Sequence, residues 1–336
     1  MTVNEFLKEW NHPSGKLLVH TSGSTGAPKP MWVERRRMEE SARITCDFLG
    51  LKAGDTALLC LPMDYIAGKM MVARSLVRGM RLLRVAPSGH PMRELIEKGM
   101  PEIDFAAMVP LQVYNSLRIP EEKEMLKQIR HLIIGGGAVD DHIAAELQSF
   151  PHAVWSTYGM TETLSHIALR RLNGNQASLW YTPFSSVSVS LHENGCLIID
   201  APKVCDGPLV TNDIAEIRDI VTSGGPVRQF RILGRKDNVV ICGGVKIQIE
   251  EVEKMLKGYI SVPFLITKRA DEKFGEVVVM LVQSDAVNSI QSLCERILPK
   301  YWQPREYVSV REIPMTGTGK PARKEAEQLA LNNSAG

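Results

Sequence analysis

The stretch HTSGSTGAPK, from His20 to Lys29, holds four hydroxyl side chains, two glycines and a lysine within ten residues. Glycine lets the backbone turn its N–H groups toward a ligand, hydroxyls donate to phosphate oxygens, and lysine neutralises negative charge. The stretch is not a Walker A loop, because Gly23 and Gly26 stand three residues apart and Pro28 precedes the lysine. It predicts a phosphate-binding loop of another kind, with a polar surface turn as the alternative.

Helical and strand patterns alternate along the first two-thirds of the chain, and turn residues mark the ends of these segments. The helical patterns cover 33–49 and 67–77, and the strand patterns cover 56–61, 81–85, 105–110 and 131–136. This alternation predicts an α/β fold with mostly parallel strands and helices on both faces. Residues 186–200 instead read as two alternating strands around Glu-Asn-Gly, which predicts a hairpin in a small antiparallel section.

A second change of pattern follows the segment GRKDN at 234–238. Beyond it the sequence predicts helices from 250 and at 286–298, and strands near 262–267, 276–282 and 305–310. These elements form a unit of about 100 residues, a normal size for a domain. We place the boundary at Arg235–Asp237 and predict a large domain over 1–236 and a small α+β domain over 237–336.

Composition excludes several classes of protein. The chain has 336 residues, a formal net charge of +2 and no basic stripe interleaved with aromatic residues, so it does not suggest nucleic-acid binding. None of the six cysteines forms a C-x-x-C pair, and several stand in apolar runs, which indicates buried free thiols and no zinc or redox site. The sequence shows neither a signal peptide nor a membrane span, so we expect a cytoplasmic protein.

Five further motifs follow the hydroxyl-rich loop in order. They are LPMDYIAG (61–68), YGMTET (158–163), TNDIAEI (211–217), GRKDNVVICGGVKIQIEEVE (234–253) and PMTGTGKPAR (314–323). Together with the loop, they resemble the motifs of the adenylate-forming superfamily, which comprises acyl-CoA synthetases, adenylation domains and luciferases. Members of that superfamily carry a much longer segment before the loop, so an unusual short form and a partner chain both remain open.

The resemblance implies a two-step reaction that uses ATP, Mg²⁺ and a thiol, usually that of coenzyme A. A carboxylate first attacks the α-phosphate of ATP, which gives an acyl-adenylate and pyrophosphate. The thiol then displaces AMP to give a thioester. Because two anions must approach each other in the first step, the site needs cations and N–H donors around the phosphates.

The resemblance also implies roles for individual residues in nucleotide binding. Thr161 would contact phosphate, Glu162 would help to hold Mg²⁺, and Tyr158 would stack on adenine. By itself Glu162 could equally be a surface acid. The loop would wrap the β- and γ-phosphates through Thr21, Ser22, Gly23, Ser24, Thr25, Gly26 and Lys29. The run Gly135, Gly136 and Gly137 would lie along the adenine ring; a Rossmann motif is not favoured there, because Asp140 stands where the third glycine belongs.

The C-terminal motifs imply four more roles. Asp213 matches the acid that binds the ribose hydroxyls, and Arg235 matches an arginine that contacts the ribose. Asp237 matches the hinge around which a mobile C-terminal lid domain rotates. Lys320 matches the lysine that contacts the carboxylate and the α-phosphate during adenylation, with a solvated surface charge as the alternative.

The acid is indicated only by similarity to one branch of the superfamily. The stretches YGMTETLSHI and IAGKMMVARSLVRGMRLLRV resemble o-succinylbenzoate–CoA ligases of menaquinone biosynthesis, with His166 in place of glutamine. Tyr65 stands where the superfamily often has histidine, so the acyl pocket is altered. A dicarboxylate needs a second cationic anchor, for which Lys69 and Arg74 are candidates, with charges on a helix surface as the alternative.

Two other functions remain open from the sequence. One is an adenylation domain that loads a carrier protein, and the other is a truncated, inactive nucleotide-binding protein. The partners that we expect are small molecules, namely a carboxylic acid, ATP and CoA, and a homo-oligomer is compatible with the sequence.

Overall fold

The computed structural model describes residues 1–20, 30–99, 101–222, 224–316 and 320–333. These residues contain the α-helices α1 (Val3–Trp10), α2 (Arg35–Leu49), α3 (Ile66–Arg78), α4 (Pro91–Glu97), α5 (Pro110–Leu117), α6 (Pro120–Gln128), α7 (Asp141–Leu147), α8 (Ile249–Lys257), α9 (Val287–Ile297) and α10 (Arg323–Asn333). The strands of the N-terminal part are β1 (Lys16–His20), β2 (Pro30–Glu34), β3 (Thr56–Leu59), β4 (Arg81–Arg84), β5 (Phe105–Met108), β6 (His131–Ile134), β7 (Ala153–Gly159), β8 (His166–Arg171) and β9 (Thr182–Pro183). The strands that follow are β10 (Ser188–Leu191), β11 (Cys196–Asp200), β12 (Leu209–Thr222), β13 (Gly225–Arg235), β14 (Val239–Cys242), β15 (Val245–Gln248), β16 (Phe264–Asp271), β17 (Gly275–Val282) and β18 (Glu306–Ser309).

The largest sheet has the strand order β4-β3-β5-β6-β7-β8-β9. Its first five strands are parallel, which confirms the prediction from the alternating helices and strands. Strands β8 and β9 add to one edge in antiparallel fashion, a feature that the sequence pattern did not predict. Parallel neighbouring strands must be connected through helices, whereas the antiparallel strands β7 and β8 are connected by the short turn at Thr161–Thr163.

Both faces of this sheet are buried. Because successive strand residues point to opposite faces, one face carries Leu58, Ala106 and Leu132, and the other carries Ala57, Phe105 and Ile133. Helices α4 to α7 cover the first face, helices α2 and α3 cover the second, and α1 packs on β1. Helices α2 and α3 each end at a glycine in the left-handed region, Gly50 with φ +65° and Gly79 with φ +70°, which turns the chain back toward the sheet.

A four-stranded antiparallel sheet, β10-β11-β12-β13, follows. The predicted hairpin at 186–200 is confirmed as β10 and β11, with Gly195 at φ +80° in its turn. Strands β12 and β13 form a long ribbon whose register places Asp213 opposite Arg235. This ribbon therefore brings two distant motifs of the sequence together.

The C-terminal part contains a third sheet, β15-β14-β17-β16, with β18 parallel to β17. Helices α8 and α9 pack on one side of it, and α10 packs on the other. The buried clusters of this part begin at Val240, whereas those of the N-terminal part end at Phe230. The division into 1–236 and 237–336 stays a prediction, and it falls between these two sets of clusters.

All six cysteines are buried and free, as their apolar surroundings predicted. In the part of the chain that the structure describes, no helix combines the length and the apolar character that a bilayer crossing demands.

Candidate functional site

A cavity of about 400 Å³ lies where the parallel strands of the large sheet end. Residues that follow β3, β5, β6 and β7 build much of its wall: Leu61, Pro62, Val109, Gly135, Gly136, Met160 and Thr161. Lys320, which precedes α10, lines the same cavity. Ligands of open α/β sheets bind in the crevice beyond the carboxyl ends of the strands, so this cavity is the candidate active site.

The glycine run after β6 contributes two residues to the cavity wall. A Cβ atom on Gly135 would lie 2.4 Å from Oγ1 of Thr157, and Gly136 has φ +83°, a conformation that side chains rarely adopt. Gly137 lies outside the cavity wall. The structure therefore brings two of the three glycines to the site, where a flat ligand could approach the main chain.

Tyr158 and Asp213 are joined by a hydrogen bond of 2.6 Å from the phenol to Oδ2 of the carboxylate. Burial, followed by the negative charge of Asp213, raises the pKa of Tyr158, so the phenol stays a donor. The ring of Tyr158 packs edge to face on Phe230 at 5.0 Å. The hydroxyl of Thr211 accepts the backbone N–H of Asp213 at 3.1 Å and so fixes the position of this acid.

Arg235 links Asp213 to Asp237. Its Nη1 donates to Oδ1 of Asp213 at 3.2 Å, while Nε and Nη2 donate to the two oxygens of Asp237 at 2.9 and 2.8 Å. Burial is the largest influence on the pKa of Asp237 and would raise it, but the hydrogen bonds and the charge of Arg235, with smaller contributions, together lower it. Each carboxylate oxygen has more than one lone pair, so Asp213 retains acceptor capacity for a ligand.

Lys320 reaches this network from the C-terminal part. Its backbone N–H donates to Oγ1 of Thr316 at 3.1 Å, and its carbonyl accepts the N–H of Thr316 at 2.7 Å. Burial lowers the pKa of Lys320, and the nearby charge of Arg235 lowers it further, whereas Asp213 raises it. The ammonium is therefore partly desolvated and faces the cavity, unlike a solvated surface lysine.

The turn between β7 and β8 presents two of the predicted residues. Thr161 is buried and lines the cavity, while Glu162 is exposed beside it. The turn ends at Leu164, whose φ of +63° is unusual for a leucine. Leu164 also lines the cavity, in keeping with the tendency of strained backbone to cluster at functional sites.

Arg74 is buried, with 2% of its surface exposed, and it lines the cavity. Its Nη2 donates to Oγ of Ser165 at 2.5 Å, Nη1 contacts Sδ of Met71 at 3.8 Å, and the buried Nε has no partner. Among the described residues, no carboxylate lies within ion-pair distance of Arg74. Burial lowers the pKa of Arg74 to about 10, which leaves the guanidinium charged at neutral pH.

Lys69 and Tyr65 differ in their relation to the cavity. Tyr65 precedes α3 and lines the cavity. Lys69 is also buried, but its Nζ donates to the carbonyl of Leu18 at 2.5 Å, and the residue lies outside the cavity wall. The alternative of surface charges is thus wrong for Lys69 and for Arg74, and only the arginine faces the candidate site.

The predicted phosphate loop is flanked by β1 and β2, which pair His20 with Pro30. Its residues Thr21, Ser22, Gly23, Ser24, Thr25, Gly26 and Lys29 lie outside the described residues. Their proposed contacts with phosphate stay predictions.

Several residues of the cavity wall did not stand out in the sequence. Thr157 precedes the YGMTET motif and Ser165 follows it, so the surroundings of the motif could have indicated them. Gln112 and Ser88 come from segments that match no motif. The amide nitrogen of Gln112 donates to the carbonyl of Ser88 at 2.9 Å and so holds the loop that borders the cavity.

Curated relatives match nearly the whole chain. A 2-succinylbenzoate–CoA ligase of Bacillus cereus is 24% identical over 347 residues, which cover 96% of this chain and 71% of the relative. The enzyme of the same name from Geobacillus sp. is 25% identical and matches 99% of this chain and 72% of the relative.

Solved structures share the fold. The o-succinylbenzoate coenzyme A synthetase of Bacillus subtilis, in complex with ATP and a magnesium ion, is 22% identical over 92% of this chain and 69% of its own, with a TM-score of 0.73. An acyl-CoA synthetase (AMP-forming)/AMP-acid ligase II-like protein of Dyadobacter fermentans is 30% identical over 97% of this chain and 93% of its own, with a TM-score of 0.63. The model of the AMP-binding enzyme family matches residues 10–207, more than half of the sequence. The chain therefore belongs to the family of AMP-binding enzymes.

Proposed function

We propose that this enzyme is an ATP-dependent carboxylate–CoA ligase and that its acid is 2-succinylbenzoate, the substrate in the names of the curated relatives. In the first step an oxygen of the acid forms a bond to the α-phosphorus, and the bond to pyrophosphate breaks. In the second step the thiol of CoA gives up its proton, its sulfur bonds to the acyl carbon, and AMP leaves with the bonding electrons.

The observation that carries this proposal is the pair of cations, Arg74 and Lys320, in the wall of one cavity. A buried guanidinium without a counter-ion lowers the stability of the fold. Its presence in the cavity wall is best explained by an anionic ligand that pairs with it. The compound 2-succinylbenzoate has two carboxylates. One would be held by Arg74, while the other would be activated beside Lys320.

Lys320 would act mainly at the transition state of adenylation. The attacking carboxylate and the α-phosphate are both anionic, and a fixed ammonium between them offsets their repulsion as they approach. Its partly desolvated position strengthens this effect, because water screens the charge less.

The nucleotide would lie between the glycine run and the Asp213–Arg235 network. Gly135 and Gly136 would let the adenine lie close to the main chain. Asp213 would accept hydrogen bonds from the ribose hydroxyls. Tyr158 would border the adenine with its ring while its phenol orients Asp213. Thr161 and the loop from Thr21 to Lys29 would contact the phosphates.

Glu162 is the residue that would hold Mg²⁺, whose ordinary protein site is one or two carboxylates completed by substrate phosphates and water. The exposed position of Glu162 beside Thr161 suits that arrangement, and no group of three or more potential metal ligands occurs among the described residues. The ion, when bound, would neutralise charge on the phosphate oxygens. We also assign the enzyme to the cytoplasm, since six buried free thiols suit a reducing compartment.

The test is AMP release from ATP with a panel of carboxylic acids, with and without CoA. We expect release with 2-succinylbenzoate and CoA, together with formation of the CoA thioester. Exchange of pyrophosphate without a free thioester would identify a domain that loads a carrier protein. The absence of both reactions with every acid would contradict the proposal.

A further inference from the structure

A line of hydrogen bonds runs from the cavity into the core behind it. Arg74 donates to Oγ of Ser165 at 2.5 Å, and that oxygen lies 3.2 Å from Nδ1 of His166. Nε2 of His166 lies 3.0 Å from Oγ1 of Thr45, which in turn lies 3.1 Å from the carbonyl of Ser41. Thr45 is fully buried, and His166, which also lines the cavity, is 8% exposed, so the bond between them is shielded from bulk water.

The directions of these hydrogen bonds can be worked out from the buried end. A helical threonine commonly donates its only hydroxyl proton to the carbonyl four residues earlier, here that of Ser41. Thr45 can then only accept, so Nε2 of His166 must carry the proton. Nδ1 is left as an acceptor, and the hydroxyl of Ser165 donates to it.

The result is a line in which every donor points the same way. With its proton committed to His166, the Ser165 oxygen offers only lone pairs, and one of them accepts from Arg74. The guanidinium is thereby held in one orientation in the cavity wall, with a buried Nε that has no partner.

We propose that His166, through Ser165, is a positioning residue that orients Arg74 to bind the second carboxylate of the acid, which makes it a determinant of substrate specificity. This inference rests on the proposed function for the choice of ligand, but the hydrogen-bond line itself does not.

The ring of His166 has no acidic neighbour among its described contacts. It packs against Phe184 at 5.6 Å, and Arg74 is the charged group that lowers its pKa after burial itself. The imidazole is therefore neutral, and its role depends on which of its two nitrogens is protonated.

The first test is independent of catalysis. Nitrogen-15 NMR of histidine-labelled protein distinguishes protonated from unprotonated ring nitrogens, and the spectrum of His166→Gln assigns the signals of this residue among the eight histidines. We expect protonated Nε2 and unprotonated Nδ1, with loss of this preference in Thr45→Val. Protonated Nδ1 in the wild type would overturn the proposal, because the Ser165 proton would then point elsewhere.

The second test separates positioning from stability. The acids are 2-succinylbenzoate and 3-benzoylpropionate, which is the same molecule without the ring carboxylate. We expect His166→Leu to raise KM for the dicarboxylate by about 10-fold, the scale of one hydrogen bond to a charged group. The KM values for the monocarboxylate and for ATP should stay within about twofold. Glutamine, whose amide can accept from Ser165 and donate to Thr45, should restore most of the loss.

A matched control is Thr267→Val, which removes the hydroxyl of another buried threonine, on β16, away from the cavity wall. It should leave both acids unaffected. Equal increases of KM for the two acids in His166→Leu would overturn the positioning role even if the wild type is active. Failure of the wild type with every acid would instead contradict the proposed ligase function, while the NMR result would still decide the hydrogen-bond line.

Discussion

Arg235 and Arg74 have opposite electrostatic surroundings, although both lie at or beside the candidate site. Arg235 contacts two carboxylates, Asp213 and Asp237, and stands at the junction of the N-terminal and C-terminal parts. Arg74 has a hydroxyl, a thioether and an aromatic ring around it, and no carboxylate of the described residues beside it. An arginine whose charge the protein balances can hold a junction in shape, whereas an unbalanced one is available to a ligand.

The largest effect that we expect concerns Lys320, which lies near Arg235, the arginine that contacts two carboxylates. Lys320→Ala should lower the rate of adenylate formation by about 10²–10³, since it removes one preorganised electrostatic contact from the transition state. A supplied 2-succinylbenzoyl-adenylate should still be converted to the thioester at a near-normal rate. The two half-reactions are measured separately, and Lys324→Ala, an exposed lysine of α10, is the control. A parallel fall in both half-reactions would indicate a structural role for Lys320.

Removal of the unbalanced charge should weaken substrate binding and spare the fold. Arg74→Met should raise KM for 2-succinylbenzoate by about 100-fold, because one partner of a buried charge pair with the ligand is lost. The free energy of unfolding in urea should stay the same or increase, since an unpaired buried charge disappears. Arg78→Met, a change of a partly exposed arginine on the same helix, should leave KM unchanged.

Arg235→Met provides the contrast in stability. It leaves two carboxylates without their cation, so we expect the free energy of unfolding to fall by about 1–2 kcal/mol, a value reduced by the partial exposure of the pair. Equal stability changes for the Arg74 and Arg235 variants would remove the distinction between the two arginines.

The hinge prediction tests what Asp237 contributes to the network of Asp213, Arg235 and Asp237. Asp237→Pro removes the carboxylate that binds Arg235 and restricts φ at the junction. Lids that reset between half-reactions need a few residues to absorb the backbone change, so thioester formation should fall about 10-fold more than adenylation. Separate assays of the two half-reactions on the variant and on Asp237→Asn distinguish the loss of flexibility from the loss of charge. A uniform loss in both assays would count against a hinge here.

The sequence predicted the large sheet from alternating strands and helices and the hairpin from its Glu-Asn-Gly turn, because both signals are visible in short stretches. Tyr158, Asp213 and Arg235 were indicated by the resemblance to a superfamily, and their roles stay predictions. The burial of Arg74 and Lys69 was not readable, because a charged residue within a helix gives no local sign of which face packs against the sheet. The line from Arg74 to Thr45 joins three separate segments, so only the packing of α2, α3 and β8 brings it together.

The smallest effect concerns ion pairs between the two parts of the chain. Lys257 on α8 donates to Asp140 at 2.7 Å, and Asp140 also caps α7, which follows the glycine run. Burial is the largest influence on the pKa of Asp140 and would raise it, but the hydrogen bonds from Lys257 and from the backbone of His142, with the charge of Lys257, together lower it. Since partly exposed pairs contribute about 0.2–1 kcal/mol, Lys257→Gln should change the ratio of the two half-reaction rates by no more than about fivefold, in favour of thioester formation. The reversed pair, Asp140→Lys with Lys257→Asp, should restore the ratio toward the wild type. A ratio that does not move at low ionic strength, where such pairs are strongest, would show that this contact does not hold the two parts together.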